Sequence, residues 1–178
     1  HVVPLDGRPQ VVPVHPVFHA PMARDIDWHL IVLVDVSGSM SESVVYSALT
    51  AAILAESPAL SVDFLAFNTT VLDFTGHVHD PLALLLEVSV GGGTDIASAL
   101  RVARSRVRVP SRTLLVLISD FEEFGSDAPM LAEVEALATS GATLLGCAAL
   151  NDTGTGVYNA GIAARVAGAG MRVAAVSP

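Results

Sequence analysis

The chain predicts an α/β fold: a doubly wound, mostly parallel central sheet of about six strands, with helices on both faces and one short antiparallel edge strand. Three observations predict it. Apolar, strand-like runs near residues 29–34, 61–67, 113–119, 142–148 and 171–176 alternate with helix-like segments in most of the gaps. The segment opening at Thr94 carries Ile96, Ala99, Leu100, Ala103 and Val107 at i, i+3, i+4, i+7 and i+11, with Arg101, Arg104 and Arg108 on another side, as a helix with one packed and one wet face does. Between the run 61–67 and a short one at 70–74, Asn68-Thr69 reads as a tight hairpin turn, which makes the second run the antiparallel edge.

From the amino end, residues 1–27 hold prolines at 4, 9, 13, 16 and 21 among alternating valines, a spacing that favours extended or polyproline-like chain. They read as an arm or linker ahead of a single domain spanning 28–178. Val11, Val12, Val14, Val17 and Phe18 are apolar enough for the arm to cover a sheet edge. Trp28, beside His29, reads as a core anchor between arm and sheet. Leu30-Ile31-Val32-Leu33-Val34 is continuous enough to be buried on both faces. The helix expected over about 42–56 is nearly all small and apolar, Ala48-Leu49-Thr50-Ala51-Ala52-Ile53-Leu54-Ala55, as a helix packed against a sheet is. Another helix is expected over about 127–138. Cys147, inside Thr143-Leu144-Leu145-Gly146-Cys147-Ala148-Ala149, reads as a packed, inert thiol on a buried strand.

Composition narrows the function classes. At 178 residues there is room for one sizeable core, and 52% hydrophobic against 15% charged residues excludes a disordered chain. No apolar run reaches the roughly 18 to 20 residues of a membrane span, so a soluble chain is expected. The single cysteine leans toward a reducing, cytoplasmic compartment. Because the first residue is His1 rather than Met, the sequence reads as a piece of a longer protein, and a missing leader decides nothing about export. Net charge is −9, which disfavours phosphate backbones and with them sequence-independent nucleic-acid binding. All nine basic residues are arginine. Without lysine there is no P-loop and no Schiff-base chemistry. Arginines 101, 104, 106, 108 and 112 form a local basic stripe, read as a solvated helix face running into its C-terminal end or as a partner-binding patch.

The most informative stretch is Asp35-Val36-Ser37-Gly38-Ser39, directly after the first buried strand. One carboxylate and two hydroxyls at a strand end suit a hard divalent cation. Thr94, in Gly91-Gly92-Gly93-Thr94-Asp95, and Asp120, after Leu114-Leu115-Val116-Leu117-Ile118-Ser119, supply what such a site still lacks. In an open α/β sheet the carboxyl ends of the strands are where ligands bind, and both aspartates belong on that edge. Gly38 is expected to let the backbone fold tightly between the two serines, and Gly91-Gly92-Gly93 to let the Thr94 loop approach the ion. Ser37, Ser39 and Thr94 as direct ligands, with Asp35 and Asp120 bound directly or through water, leave a position open on an octahedral magnesium. Competing readings exist: Ser39 with Glu42 is also a capping box, Thr94 or Asp95 an N-cap, and a strand-end Asp often only bonds a loop.

These residues resemble the metal-ion-dependent adhesion site of von Willebrand factor A (VWA) domains: the D-x-S-x-S strand end, the G-G-T-D turn and the later strand ending in Ser-Asp, over roughly residues 28–178. Bacterial members with D-x-S-G-S-M and G-G-T-D-I, often neighbours of MoxR-type AAA+ ATPases, are the nearest in pattern. The resemblance implies a Rossmann-like fold and a metal site of Asp35, Ser37, Ser39, Thr94 and Asp120. It also implies a Mg2+ ion, with Mn2+ or Ca2+ as alternatives, and an open position filled by an Asp or Glu carboxylate of a protein partner. The expected role is a non-enzymatic interaction module, with an AAA+ ATPase as one possible partner. A magnesium-dependent hydrolase and a scaffold with a vestigial site are the alternatives.

The chain departs from the pattern after Asp120, where many VWA domains have Gly and this one has Phe121-Glu122-Glu123-Phe124. The two phenylalanines and two glutamates read as exposed rim residues, with Glu122 as an extra ligand or a helix cap as alternatives. His77 and His79 stand two apart, a spacing that can support a transition-metal site, but without a nearby third ligand in sequence they read as surface or hydrogen-bonded histidines. Oxygen-only ligands argue against zinc and copper. No G-x-S-x-G elbow and no dinucleotide fingerprint occurs.

Overall fold

A computed structural model of the chain describes residues 2–5, 8–11, 28–40, 60–77, 91–123, 125–149 and 158–176. Strand β1 (Val2–Leu5) pairs antiparallel with β2 (Arg8–Val11), Val2 lying opposite Val11 and Leu5 opposite Arg8. Part of the arm expected to be extended chain is therefore paired with itself. Pro4 and Pro9 face each other in it, which a two-stranded ribbon tolerates because each strand has an outer edge that needs no ladder donor.

The main sheet holds β3 (Trp28–Asp35), β4 (Leu60–Phe67), β5 (Val71–Asp73), β6 (Thr113–Ser119), β7 (Thr143–Ala149) and β8 (Arg172–Val176) in the order β5-β4-β3-β6-β7-β8. Every pairing is parallel except β4 with β5. The fold is the α/β, Rossmann-like architecture that the alternating runs predict. The β4–β5 turn is longer than a two-residue hairpin: Asn68 Oδ1 accepts from Thr70 N at 3.0 Å, and Asn68 N donates to Thr70 O at 3.0 Å.

Three described helices pack on one face of the sheet: α1 (Ile96–Arg106), α2 (Ala128–Ser140) and α3 (Ala160–Gly168). Ile96 and Leu100 of α1, Met130 and Val134 of α2, and Val166 of α3 bury against Ile31, Leu33, Leu65, Leu115 and Leu117. Leu30, Val32, Val34, Phe64 and Ala66 point to the other face and are equally buried. That double burial is why β3 reads as an uninterrupted apolar run. The helix expected over 42–56 lies outside the described residues. Helix α1 begins at Ile96, because Asp95 caps it by accepting from Ser98 N at 2.8 Å. Asn159 caps α3 in the same way, and Gly141, at φ 95°, ends α2.

The arginine stripe is only partly a solvated face. Arg101 and Arg104 both reach Glu133 of α2, at 3.2 and 2.8 Å, and Arg106 reaches Asp73 of β5 at 2.6 Å. Trp28 is partly buried, while His29 is buried and pairs with Asp63 at 3.1 Å. Cys147 lies on β7 as expected, and burial pushes its thiol above the ordinary range. No described helix is long and apolar enough to cross a membrane.

Candidate metal centre at the carboxyl edge of the sheet

The chain leaves β3 toward β4 on one side of the sheet and re-enters on the other side at β6, so the crevice between β3 and β6 is the topological switch point. Asp35 ends β3, and Asp120 follows β6, which pairs with β3 up to Val34 opposite Ile118. Ser119 Oγ donates across this boundary to Asp35 Oδ2 at 2.7 Å, while Ser37 N donates to Asp35 Oδ1 at 2.9 Å. Ser37 Oγ lies 3.3 Å from Ser39 Oγ. Two adjacent ligands of an octahedral magnesium stand roughly 3 Å apart, so the two hydroxyls are spaced as neighbouring ligands are. Ser39 is exposed, and Ser37 is buried beneath it.

Thr94, also buried, is brought to the same edge by backbone bonds of its neighbours. Gly91 N donates to Val36 O at 3.0 Å, Asn68 Nδ2 to Gly91 O at 3.0 Å, and Asp95 N to Asn68 O at 2.9 Å. Gly91 and Gly92 are required by backbone conformation, with φ of 144° and 84°. Gly38, by contrast, has neither a left-handed φ nor a protein atom within 4 Å of the place a Cβ would take, so the tight fold expected of it is not what keeps it glycine. Because Asp95 is the helix cap, Thr94 does not hold that role. Asp35, Ser37 and Ser39 thus touch directly, Asp120 stands beside them, and among the described residues Thr94 is joined to the rest through the bonds of its neighbours.

Asp35 and Asp120 are 0% and 3% exposed, and no described arginine or histidine pairs with either. Burial pushes the Asp35 carboxyl above the usual range; hydrogen bonds from Ser37 and Ser119 oppose the shift, and the Asp120 charge adds to it. Two buried acids without a counter-charge are costly, and a bound cation removes that cost. Among the described residues no three His, Cys, Asp or Glu side chains gather as a metal site, and the hydroxyls of Ser37, Ser39 and Thr94 are the further oxygens they offer here. The residues present fit a hard, oxygen-seeking divalent ion. The strand-end alternative, an Asp bonded to its own loop, is also true of Asp35, but it uses one lone pair of each oxygen and leaves the charge uncompensated.

Sequence reasoning missed three residues. Ser119 was legible as the Ser of Ser-Asp, but its bond to Asp35 depends on strand neighbours 84 positions apart. Asn68 reads as a turn residue and also holds the glycine loop. Glu123 accepts from Ile96 N at 2.9 Å and is pushed up to about 7, first by burial, then by the charges of Asp95 and Asp35, against donation from the Ile96 and Ala97 backbone. The exposed rim expected of Phe121 is a correction: its ring is fully buried in the core and its φ is 59°. Phe124, Glu42 and His79 lie outside the described residues, and Glu122 is exposed and donates its N–H to Asp120 Oδ1 at 3.0 Å.

Comparison with known proteins agrees with this architecture. Residues 6–178 match the family described as "VWA domain containing CoxE-like protein". The chain is 40% identical over 164 residues to YehP of Escherichia coli, an uncharacterized protein; the match covers 92% of this chain and 43% of that one, so the chain spans less than half of its relative. Among solved structures, an aerotolerance-related membrane protein from Bacteroides fragilis superposes with a TM-score of 0.62 at 15% identity, covering 84% of this chain and 91% of that one. The conserved hypothetical protein BatB from Bacteroides thetaiotaomicron gives 0.61 at 18% identity, covering 85% and 90%. At these identities the superpositions speak for the fold alone.

Proposed function

Because the chain belongs to the family of VWA domain containing CoxE-like proteins, an interaction-module family, we propose that it binds a divalent cation at Asp35, Ser37, Ser39, Thr94 and Asp120 and through it a carboxylate of a protein partner. The observation that carries this reading is the pair of buried aspartates, with no described arginine or histidine paired to either, beside a patch of hydroxyls at the switch point. Magnesium is the ion of choice, with manganese and calcium as alternatives; neutral hydroxyl ligands leave it electropositive and in want of an anion. Ser39 is exposed, so an ion held here would be within reach of an Asp or Glu of a partner. Among the described residues no arginine or histidine pairs with Asp35 or Asp120, which favours a binding role over hydrolysis. The partner class to test first is a MoxR-type AAA+ ATPase, for which the domain acts as an adaptor in the cytoplasm.

Calorimetric titration of the metal-stripped protein with Mg2+ and Mn2+, beside an Asp35→Ala, Ser37→Ala variant, tests the metal step. Heat in the parent and none in the variant is expected; silence in both removes the site. Capture of an ATPase that survives Mg2+ washes and is released by a chelator tests the partner step. Turnover of phosphate esters that depends on Asp35 returns the hydrolase reading.

A further inference from the structure

We infer that Glu123 is the positioning residue that locks the Thr94 arm of the candidate metal centre to its Asp120 arm. This role rests on the metal reading above and goes beyond it, since Glu123 is not itself one of the five ligands. Its carboxylate crosses 27 positions of sequence to accept from Ile96 N at 2.9 Å, two residues after Thr94. With a second bond from the Ala97 backbone, it joins the residues that follow Thr94 to segment 119–123 through a side chain.

Both ends of this link are firmly held. Asp120 O accepts from Asn159 N at 2.8 Å, which ties the loop after β6 to the start of α3. Phe121 holds a left-handed φ of 59° that side-chain-bearing residues keep only where their surroundings enforce it. Its ring tip lies so near Gly146 of β7 that a Cβ added there would stand 2.9 Å away. The backbone two residues before Glu123 is therefore fixed by core packing. On the other side, Asp95 already caps α1 through Ser98 N, and the free N–H of Ile96 is left for Glu123.

An ordinary cap needs no second carboxylate. The Glu123 carboxylate accepts from two N–H groups of the first turn of α1 in a half-buried place where burial and the charges of Asp95 and Asp35 disfavour its ionised form. What it adds is distance control. Thr94 and Asp120 come from different elements, and magnesium tolerates little error in ligand position. A strut from the Asp120 loop to the first helical N–H after Thr94 fixes that separation before any ion arrives.

The test compares parent, Glu123→Gln and Glu123→Ala by calorimetric titration with Mn2+ and Mg2+, together with amide hydrogen exchange at Ile96 in the metal-free protein. Gln keeps an acceptor for Ile96 N without the charge. Expected are a loss of metal affinity of about 10-fold or more in the Ala variant, less than about 3-fold in the Gln variant, and Ile96 exchange accelerated about 10-fold in Ala alone. Unchanged affinity in Ala, or unchanged Ile96 exchange, overturns the strut while leaving the metal reading intact. A Gln variant as weak as Ala overturns it in favour of a purely electrostatic effect. A parent that binds neither ion overturns the metal reading, and this role with it.

Discussion

Asp35 concentrates the electrostatic problem of the molecule on one side chain. It is wholly buried, accepts from Ser37 N and Ser119 Oγ, and has Asp120 rather than a cation beside it. Its folded pKa is raised, so the carboxylate opposes folding as pH rises, and a neutral amide in its place should relieve the metal-free protein. Asp35→Asn is expected to raise the unfolding midpoint in chelator at neutral pH and to abolish the further rise that Mg2+ gives the parent. A variant that melts lower than the parent in chelator would mean that the carboxylate is compensated by a group other than a metal. The five candidate ligands were legible as residue types because D-x-S-x-S and G-G-T-D place oxygens at element ends. The bonds that Ser119 and Glu123 make were not, since they form only once the segments that carry them lie beside their partners.

At the scale of elements, the basic residues of α1 act as ties. Glu133 of α2 receives both Arg101 and Arg104, and Arg106 draws in Asp73 of the edge strand β5. Asp73 feels burial against its charge, but donation from Thr75 and the Arg106 guanidinium outweigh it and hold its carboxyl down to about 2. The sign follows: its contribution is present above the ordinary value of 3.8 and is lost as pH falls through about 2. Both partners are well exposed, so Asp73→Asn should cost less than about 1 kcal/mol in urea at pH 7, and the difference should close in acid and shrink in high salt. A cost of several kcal/mol would show that β5 needs this tie to stay on the sheet. Helix periodicity made the arginine face readable; which acids it meets depends on α2 and β5 lying beside α1, which periodicity does not encode.

For the whole molecule, the carboxyl edge of the sheet gathers acids and so sets its response to pH. Glu123, raised from 4.5 to about 7, binds its proton more readily folded than unfolded, so its share of stability is complete below about 4.5 and is lost as pH rises through 7. Asp35 shifts in the same direction. Metal-free protein should therefore be less stable at pH 8 than at pH 5 by on the order of 1 kcal/mol after solvent screening. Glu123→Gln should flatten that slope in thermal melts at the two pH values, and an unchanged slope would remove Glu123 as its source. Strand and helix periodicity and ligand chemistry are local properties of a chain, so the strand runs, the antiparallel edge, the apolar face of α1 and the oxygen-rich ends of β3, α1 and β6 could be read from the residues in order. That Phe121 is core rather than rim, that Ser119 supports Asp35, and that Glu123 spans from the Asp120 loop to α1 came from the packing of distant segments. Those contacts join residues 84 and 27 positions apart, and it is the β3–β6 pairing and the packing of α1 on the sheet that bring them within hydrogen-bonding reach.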